Sequence, residues 1–325
     1  MTNLSPATVF EYTWSQSSSC DCNTTITVSP SSEEEASLEE EASLLETLHM
    51  MRQKEQTLYA TGIPKQALSI TIPSTNPSTL PVDRECRLRM VEWCFQIVDY
   101  CQFSRSIVAI AMNCLDRYAA LNPKLDRNEY QLAAMTALYT CIKIFGPEAM
   151  SPKLMASLSQ GLFTSKQIEE MELTLLAAIR WNVHPPTAMD FLNLLLQLIP
   201  QSLVCEEARP SATRLSEFQT ELAVLLFPDS EASTIALAAL LNSFSKMNMP
   251  PEIQLYIEQV LSQALGLDWN ASNFQAIRTK LYDSMSINGE DTTPAIVTGN
   301  DYDTTDDKTN LDAYDYESSP RCISC

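Results

Sequence analysis

Charged side chains at four positions could take part in binding chemistry, because each lies in or beside a helical stripe of apolar residues. They are Arg87, Asp116, Lys143 and Glu172. A charge that faces a protein core costs free energy unless it is paired or unless that face meets another protein. Support for catalysis is slight: the chain has 2 histidines, no phosphate-cradling glycine loop and no nucleophile–base pair. The sequence therefore predicts a binding protein and not an enzyme.

Two of the charges have opposite signs and lie on successive predicted helices. Arg87 begins one apolar stripe, and Asp116 lies inside the next. The stripes contain Val91, Cys94, Val98 and Cys101 on the first helix, and Ala109, Met112 and Ala119 on the second. Facing stripes of this kind predict a buried Arg87–Asp116 ion pair. The alternative is an arginine near a helix start whose head group reaches water.

The other two charges have no obvious partner on the apolar side of their own helices. Lys143 continues an apolar stripe at the end of one helix, and Glu172 follows Ile168 by four residues on another. From spacing alone, the solvated edge of a stripe is favoured over a contact with a partner protein.

An all-α fold is predicted, because glycines are few and strict alternation of apolar and polar residues is absent. The spacing predicts one unit of five helices followed by a second of similar length and order. The predicted helices are 85–102, 104–121, 126–145, 151–158 and 165–180 in the first unit, and 187–198, 211–227, 229–246, 251–265 and 270–284 in the second. Thr164 and Gln167 fit a capping box at the start of the fifth helix.

Flanking segments differ from this core in composition. Ser, Thr and Pro dominate the N terminus, an acidic run precedes a segment of helical spacing, and the C terminus is acidic with few aliphatic residues. The predicted organisation is a disordered region at 1–37, a helix at 38–60, a proline-rich linker at 61–83, five-helix units at 84–186 and 187–285, and a disordered acidic tail at 286–325.

Charge and cysteine usage narrow the set of partners. The formal net charge is −20, and acidic surfaces repel phosphates and anionic membranes, so we expect neither nucleic acid nor membrane as a partner. Most of the helical cysteines lie in apolar stretches, which favours free thiols in a reducing compartment, nucleus or cytosol. We expect no metal at the terminal cysteine pairs Cys20/Cys22 and Cys322/Cys325, and no cofactor or small-molecule ligand.

Several motifs resemble those of the cyclin family, in the order in which cyclins carry them. The run Cys86-Arg-Leu-Arg-Met-Val-Glu-Trp93 resembles the opening of the cyclin box, and Cys114-Leu-Asp-Arg-Tyr118 resembles its second helix. Gln131-Leu132 and Cys141-Ile-Lys143 resemble the third helix of the box. The fifth helix is matched by Phe163-Thr-Ser-Lys-Gln-Ile168 with Met171-Glu172. The bridge to a second cyclin fold is matched by Pro185-Pro-Thr-Ala-Met-Asp-Phe-Leu192. The short, divergent box is similar to those of the expanded cyclin groups of diatoms and other algae.

The resemblance implies two tandem five-helix cyclin folds and a regulatory partner of a cyclin-dependent kinase. Arg87 and Asp116 match the family's buried ion pair, and Lys143 and Glu172 match residues that contact the kinase beside its mobile C helix. Such binding activates a kinase allosterically. The segment around 45–59 corresponds to a helix that packs on the second fold and touches the kinase.

Two departures affect the implied contacts. The acidic residues that usually follow the lysine are replaced by Ile144-Phe145-Gly146, so the kinase contact at Phe145 is expected to be more apolar. The substrate-docking patch of the family keeps Met90, Trp93, Gln131 and Leu132 but has Cys86 and Arg89 at apolar positions. A charge there is expected to weaken docking of hydrophobic peptides.

A short motif suggests an alternative partner. Leu203, Cys205 and Glu207 match the Leu-x-Cys-x-Glu pattern that binds retinoblastoma-like pocket proteins, although chance is the competing explanation. We therefore expect a nuclear and cytoplasmic cell-cycle cyclin acting in G1 or at G1/S. The alternatives are a transcription-type cyclin and a cyclin-fold adaptor for a pocket protein.

Overall fold

A computed structural model describes residues 32–60, 82–204, 208–247 and 249–287 of the 325-residue chain. Within those ranges the secondary structure is helical and contains no strand, so the all-α prediction is confirmed. The described residues from Glu41 onward belong to one compact unit, and those up to Glu40 belong to another. No helix in the described ranges is both long and apolar enough to cross a lipid bilayer.

Eleven helices are present in the described part of the chain. In order they are α1 (Ser32–Thr57), α2 (Arg84–Tyr100), α3 (Ser106–Leu121), α4 (Arg127–Phe145), α5 (Pro152–Leu158), α6 (Ser165–Ala178), α7 (Ala188–Leu198), α8 (Ala208–Leu226), α9 (Ala232–Lys246), α10 (Pro251–Leu265) and α11 (Ser272–Ile287).

Two predicted boundaries of disorder were wrong where the structure describes them. Residues 32–37 are helical, because α1 begins at Ser32. At the other end α11 continues to Ile287, into the predicted tail. The rest of the predicted tails and residues 61–81 of the linker lie outside the described residues.

Local sequence signals account for most helix starts. Asp126 and Glu129 form a reciprocal capping box at α4, Thr164 and Gln167 form the predicted one at α6, and Thr187 with Asp190 forms a third at α7. Each box satisfies backbone N–H groups that have no partner in the first helical turn. Gly266 ends α10 at a φ of 61°, in the left-handed region that glycine tolerates best.

Each group of five helices surrounds one central helix. In the first group, α2–α6, helix α4 packs against the other four and is buried from Tyr130 to Ile142 except at Leu132. In the second group, α7–α11, helix α9 does the same and is buried from Ser233 to Phe244. Separate hydrophobic cores form around these two helices. The repeated five-helix plan read from the sequence thus appears as two equivalent packing arrangements.

Helix α1 packs on the second group through its last turns. Leu48 is fully buried in the second core, and Glu55 is buried beside it. The Glu55 carboxylate accepts hydrogen bonds from the backbone N–H of Ser233 at 3.1 Å and from its Oγ at 2.6 Å. Because Ser233 lies in the first turn of α9, Glu55 provides an acceptor for one of the backbone N–H groups that have no partner within that helix.

Candidate kinase-contact surface and its supports

Lys143 and Glu172 pair with each other, in contrast to the expectation that each lacks an internal partner. Lys143 Nζ lies 3.0 and 3.1 Å from the two carboxylate oxygens of Glu172. Spacing along single helices could not show this pair, because Lys143 is on α4 and Glu172 on α6. The hydrogen bond from Lys143 to Glu172 raises the pKa of the lysine against the opposing effect of burial, so the lysine carries its proton at neutral pH.

The pair is asymmetrically exposed. The Lys143 side chain is 48% exposed, whereas that of Glu172 is 11% exposed. The lysine stem also lies over the ring of Tyr139, with Nζ 5.6 Å from the ring centroid. Glu172 therefore fixes the lysine head group in place, while the lysine presents positive charge and donors to an incoming protein.

Large apolar side chains lie next to this pair in sequence and remain in solvent. Ile144, which follows Lys143, is 47% exposed, and Leu173, which follows Glu172, is 63% exposed. Phe145 is half-buried, and its ring stacks at 5.1 Å on that of His184. A charge pair bordered by apolar side chains has the composition of a protein-binding surface.

The glycine that replaces an acidic residue here has a steric reason. A Cβ on Gly146 would lie 2.5 Å from the carbonyl oxygen of Ile142. Gly146 caps α4 and donates its N–H to that same carbonyl. Any side chain would disturb the end of α4, where Lys143 and Phe145 are held.

Trp181, which the sequence analysis did not single out, is the most exposed large apolar residue of this region, at 66%. It lies just beyond α6, and both it and Arg180 have positive φ angles, 60° and 55°. Two consecutive non-glycine residues with a left-handed backbone conformation cost conformational free energy, so contacts around them must stabilise the turn.

Arg117 supplies that support. Its guanidinium donates to the carbonyl of Ile179 at 3.1 Å and to that of Asn182 at 2.7 Å, on either side of the left-handed pair. It also lies 5.1 Å from the ring centroid of Tyr59, at the end of α1. Burial lowers the pKa of Arg117, and no carboxylate among the described residues pairs with it. The cation is stabilised instead by carbonyls at the negative end of α6.

The structure brings Arg87 and Asp116 together as a buried, bidentate pair. Arg87 Nε and Nη2 donate to the two Asp116 oxygens at 2.9 and 2.8 Å, and each side chain is 6% exposed. Arg87 Nη1 also donates to the carbonyl of Val224 on α8, at 2.7 Å. Burial alone would lower the pKa of Arg87, but the charge and hydrogen bonds of Asp116 outweigh it and raise that pKa. The pair therefore ties the first group to the second.

The residues expected to form a substrate-docking patch lie mostly inside the first core. Met90, Trp93 and Gln131 are at most 1% exposed, and only Leu132 is half-buried. Arg89 lies at the surface in an ion pair with Glu85 at 2.9 Å. A docking peptide would thus meet little apolar surface from these four side chains.

Of the pocket-protein motif, only Leu203 lies in the described part of the chain. It is half-buried against the second core. Cys205 and Glu207 lie outside the described residues. So do the terminal cysteine pairs, and no cluster of three or more metal-ligating side chains occurs in the described ranges. The helical cysteines Cys86, Cys94, Cys101, Cys114 and Cys141 are buried free thiols.

Comparison with known proteins agrees with this architecture. The family model for the cyclin N-terminal domain matches residues 46–184, which include α2–α6 and both ion pairs. Residues 46–184 therefore carry the sequence pattern of a cyclin N-terminal domain. A solved viral cyclin from herpesvirus saimiri superposes with a TM-score of 0.54 at 18% identity, covering 74% of this chain and 96% of the viral one. That likeness extends the cyclin fold into the second group of helices.

Curated cyclins match over about a third of the chain or slightly more. G1/S-specific cyclin-E1 of Gallus gallus is 26% identical over 114 residues, and G1/S-specific cyclin-E of Drosophila melanogaster is 26% identical over 132 residues. G2/mitotic-specific cyclin-B2 of Rana japonica is 25% identical over 116 residues. These matches cover 34%, 40% and 35% of this chain and 28%, 18% and 29% of the respective relatives. The chain thus spans less than a third of the length of each of these relatives.

Proposed function

We propose that this chain is a cyclin, a non-catalytic regulatory subunit that binds and activates a cyclin-dependent Ser/Thr protein kinase. The observation that carries the proposal is the Lys143–Glu172 pair, fixed across α4 and α6 with exposed Ile144 and Leu173 beside it. These residues, with Phe145, form the proposed contact surface. Binding there would favour the kinase conformation in which its catalytic ion pair is assembled.

Trp181 extends the proposed surface. Its side chain projects into solvent from a turn held by Arg117, so little ordering remains to be done when a partner covers it. Exposed aromatic residues on rigid supports are common energetic centres of protein interfaces. Trp181→Ala should therefore weaken kinase binding without changing thermal stability.

Cell-cycle control, in G1 or at G1/S, is the proposed setting. The named relatives support a cell-cycle role over a transcription-type one, and those called cyclin-E favour G1/S, although a mitotic cyclin-B2 is similarly distant. We propose a location in nucleus and cytoplasm, where such kinases act. A pocket-protein adaptor is less favoured, because half-burial of Leu203 leaves that leucine only partly available to a partner.

Kinase co-purification from proliferating cells tests the proposal. We expect a cyclin-dependent kinase with the wild-type chain and its loss with Lys143→Ala/Glu172→Ala. The matched control is Glu85→Ala/Arg89→Ala, which removes an exposed ion pair on α2. Thermal melts of both double variants separate loss of contact from loss of fold. Absence of any kinase with the wild-type chain, under conditions that preserve a known cyclin complex, would contradict the proposal.

A further inference from the structure

A cleft of about 710 Å³ lies between the two groups of helices. Among the described residues, its walls come from the end of α1, from α2 and α3, and from α8 with the start of α9. Its volume lies within the range of about 300–1,000 Å³ that is typical of ligand sites. None of the proposed kinase-contact residues lines it.

The charged lining is predominantly acidic. Among the described residues it contains two guanidinium groups, those of Arg87 and Arg105, and six carboxylates. The carboxylates are those of Glu55, Asp116, Glu217, Glu221, Asp229 and Glu231. Both arginines already have carboxylate partners: Arg87 has Asp116, and Arg105 has Asp99 and Glu221. The cleft thus offers no unpaired cation to an anionic ligand.

Two polar groups in the cleft lack a partner. Glu217 forms no salt bridge in the described ranges, and the Oδ1 atom of Asn113 is buried without a hydrogen bond. Asn113 uses its amide nitrogen for the carbonyl of Tyr59 at 3.5 Å. Both free groups are hydrogen-bond acceptors, so a complementary ligand must bring donors.

The remaining lining suits a flat or aliphatic body. Phe95 and Phe227 contribute aromatic rings, and Met112 and Ile235 contribute aliphatic surface. Phe95 already carries the guanidinium of Arg105 at 5.1 Å from its ring centroid. Aromatic rings attract cations over their faces, particularly guanidinium groups.

We propose that this cleft binds a cationic donor group on an apolar stem, either an arginine or lysine side chain of a partner polypeptide or a free aliphatic amine. The cation would pair with Glu217 and donate to Asn113 Oδ1, and its stem would lie along the apolar wall. Burial raises the pKa of Glu55 and of Glu221. A free amine as ligand would correct the expectation that the chain binds no small molecule.

Calorimetry with the full chain and defined probes tests this proposal. The probes are the peptide acetyl-Gly-Arg-Gly-amide, its citrulline counterpart of the same shape without charge, and putrescine. We expect the arginine peptide or putrescine to bind. If the site takes the arginine peptide, the citrulline peptide should bind at least about tenfold more weakly. Tighter binding by the peptide assigns the site to polypeptide, and tighter binding by putrescine assigns it to free amines.

Variants place the binding in the cleft. Glu217→Gln should weaken the bound probe about tenfold, whereas Glu252→Gln, at an exposed position on α10, should leave it unchanged. No binding of either cation would overturn the proposal, as would equal binding of the citrulline and arginine peptides with no binding of putrescine. Equal affinities of wild type and Glu217→Gln would also overturn it. The experiment contains no kinase, so its outcome is independent of the proposed kinase contact.

Discussion

The two groups of helices share a plan but fill their interiors differently. Around α4 the first core is almost wholly apolar, with buried thiols among its side chains and its ionic contact, Arg87–Asp116, at the boundary with α8. Around α9 the second core contains a continuous chain of polar side chains. These are Ser216 and Gln219 on α8, Asn242, Ser243 and Ser245 on α9, Glu258 on α10, and Arg278 on α11.

The polar chain fixes the register of four helices. Gln219 donates to Ser243 Oγ at 3.1 Å and accepts from Asn242 at 3.0 Å, and Asn242 donates on to the carbonyl of Arg278 at 2.9 Å. Arg278 then pairs with Glu258 at 3.0 Å. Directional bonds specify one arrangement where apolar packing tolerates several. We infer that the interior of the first group depends on apolar packing and the buried Arg87–Asp116 pair, with Lys143–Glu172 nearer its surface, whereas the interior of the second depends on many shared hydrogen bonds.

We expect the largest loss of stability when the buried Arg87–Asp116 pair is broken. Asp116→Ala leaves Arg87 buried, with the carbonyl of Val224 as its one remaining hydrogen-bond acceptor among the described residues, so the free energy of unfolding should fall by about 3–5 kcal/mol. Urea denaturation followed by circular dichroism measures it. Asp99→Ala is the matched control, because that carboxylate is partly exposed and pairs with Arg105, which also has Glu221. If Asp116→Ala lost no more unfolding free energy than Asp99→Ala, the Arg87–Asp116 pair would not be what stabilises the first group.

Breaking the Arg278–Glu258 ion pair of the second group should lower the free energy of unfolding by a smaller amount. In Glu258→Ala, Arg278 keeps Ser245 Oγ at 3.0 Å and Asn242 Oδ1 at 3.3 Å, so its guanidinium is not left without partners. We expect a loss of about 2 kcal/mol in the same unfolding experiment. If Glu258→Ala destabilised the protein as much as Asp116→Ala, the second group would also depend on a single charge pair.

Sequence reasoning recovered the helices and one ion pair because both are encoded along single helices. Arg87 and Asp116 each interrupt an apolar stripe, and that interruption is visible in the spacing. The Lys143–Glu172 pair was missed because it depends on how α4 and α6 are aligned, which neither helix encodes alone. The polar chain was missed as well, although Asn242 directly follows the apolar run from Ile235 to Leu241 and could have drawn attention.

The middle of the polar chain should tolerate an apolar replacement better than its charged end. Gln219→Leu removes an amide of similar size, and Ser243 and Asn242 retain other partners, the carbonyls of Ala239 and Arg278. We expect a loss of about 1 kcal/mol in unfolding free energy, together with a broader unfolding transition as register becomes less well specified. An unchanged slope and midpoint would show that the polar chain does not specify the packing of the second group.

The smallest expected effects are changes in stability with pH that come from two carboxylates. Asp83 caps α2, and Glu55 caps α9. Burial would raise the pKa of Asp83, but hydrogen bonds from Cys86 and the charge of Arg127 outweigh it and hold that pKa below its ordinary value of 3.8. Burial raises the pKa of Glu55 above its ordinary value of 4.5, despite the hydrogen bonds from Ser233. The two groups should therefore contribute to stability with opposite dependence on pH.

The signs follow from which state binds the proton more tightly. The stability contributed by Asp83 is present above pH 3.8 and is lost as pH falls through its lower folded pKa, whereas that of Glu55 is present below pH 4.5 and is lost as pH rises through its higher folded pKa. Unfolding free energies of wild type, Asp83→Asn and Glu55→Gln between pH 3 and 7 measure both. The advantage of wild type over Glu55→Gln should shrink with rising pH, and its advantage over Asp83→Asn should grow. Parallel curves would mean that the cap on α9 is stabilised by ionisation just as the cap on α2 is, and the contrast between the two groups would then rest on their interiors alone.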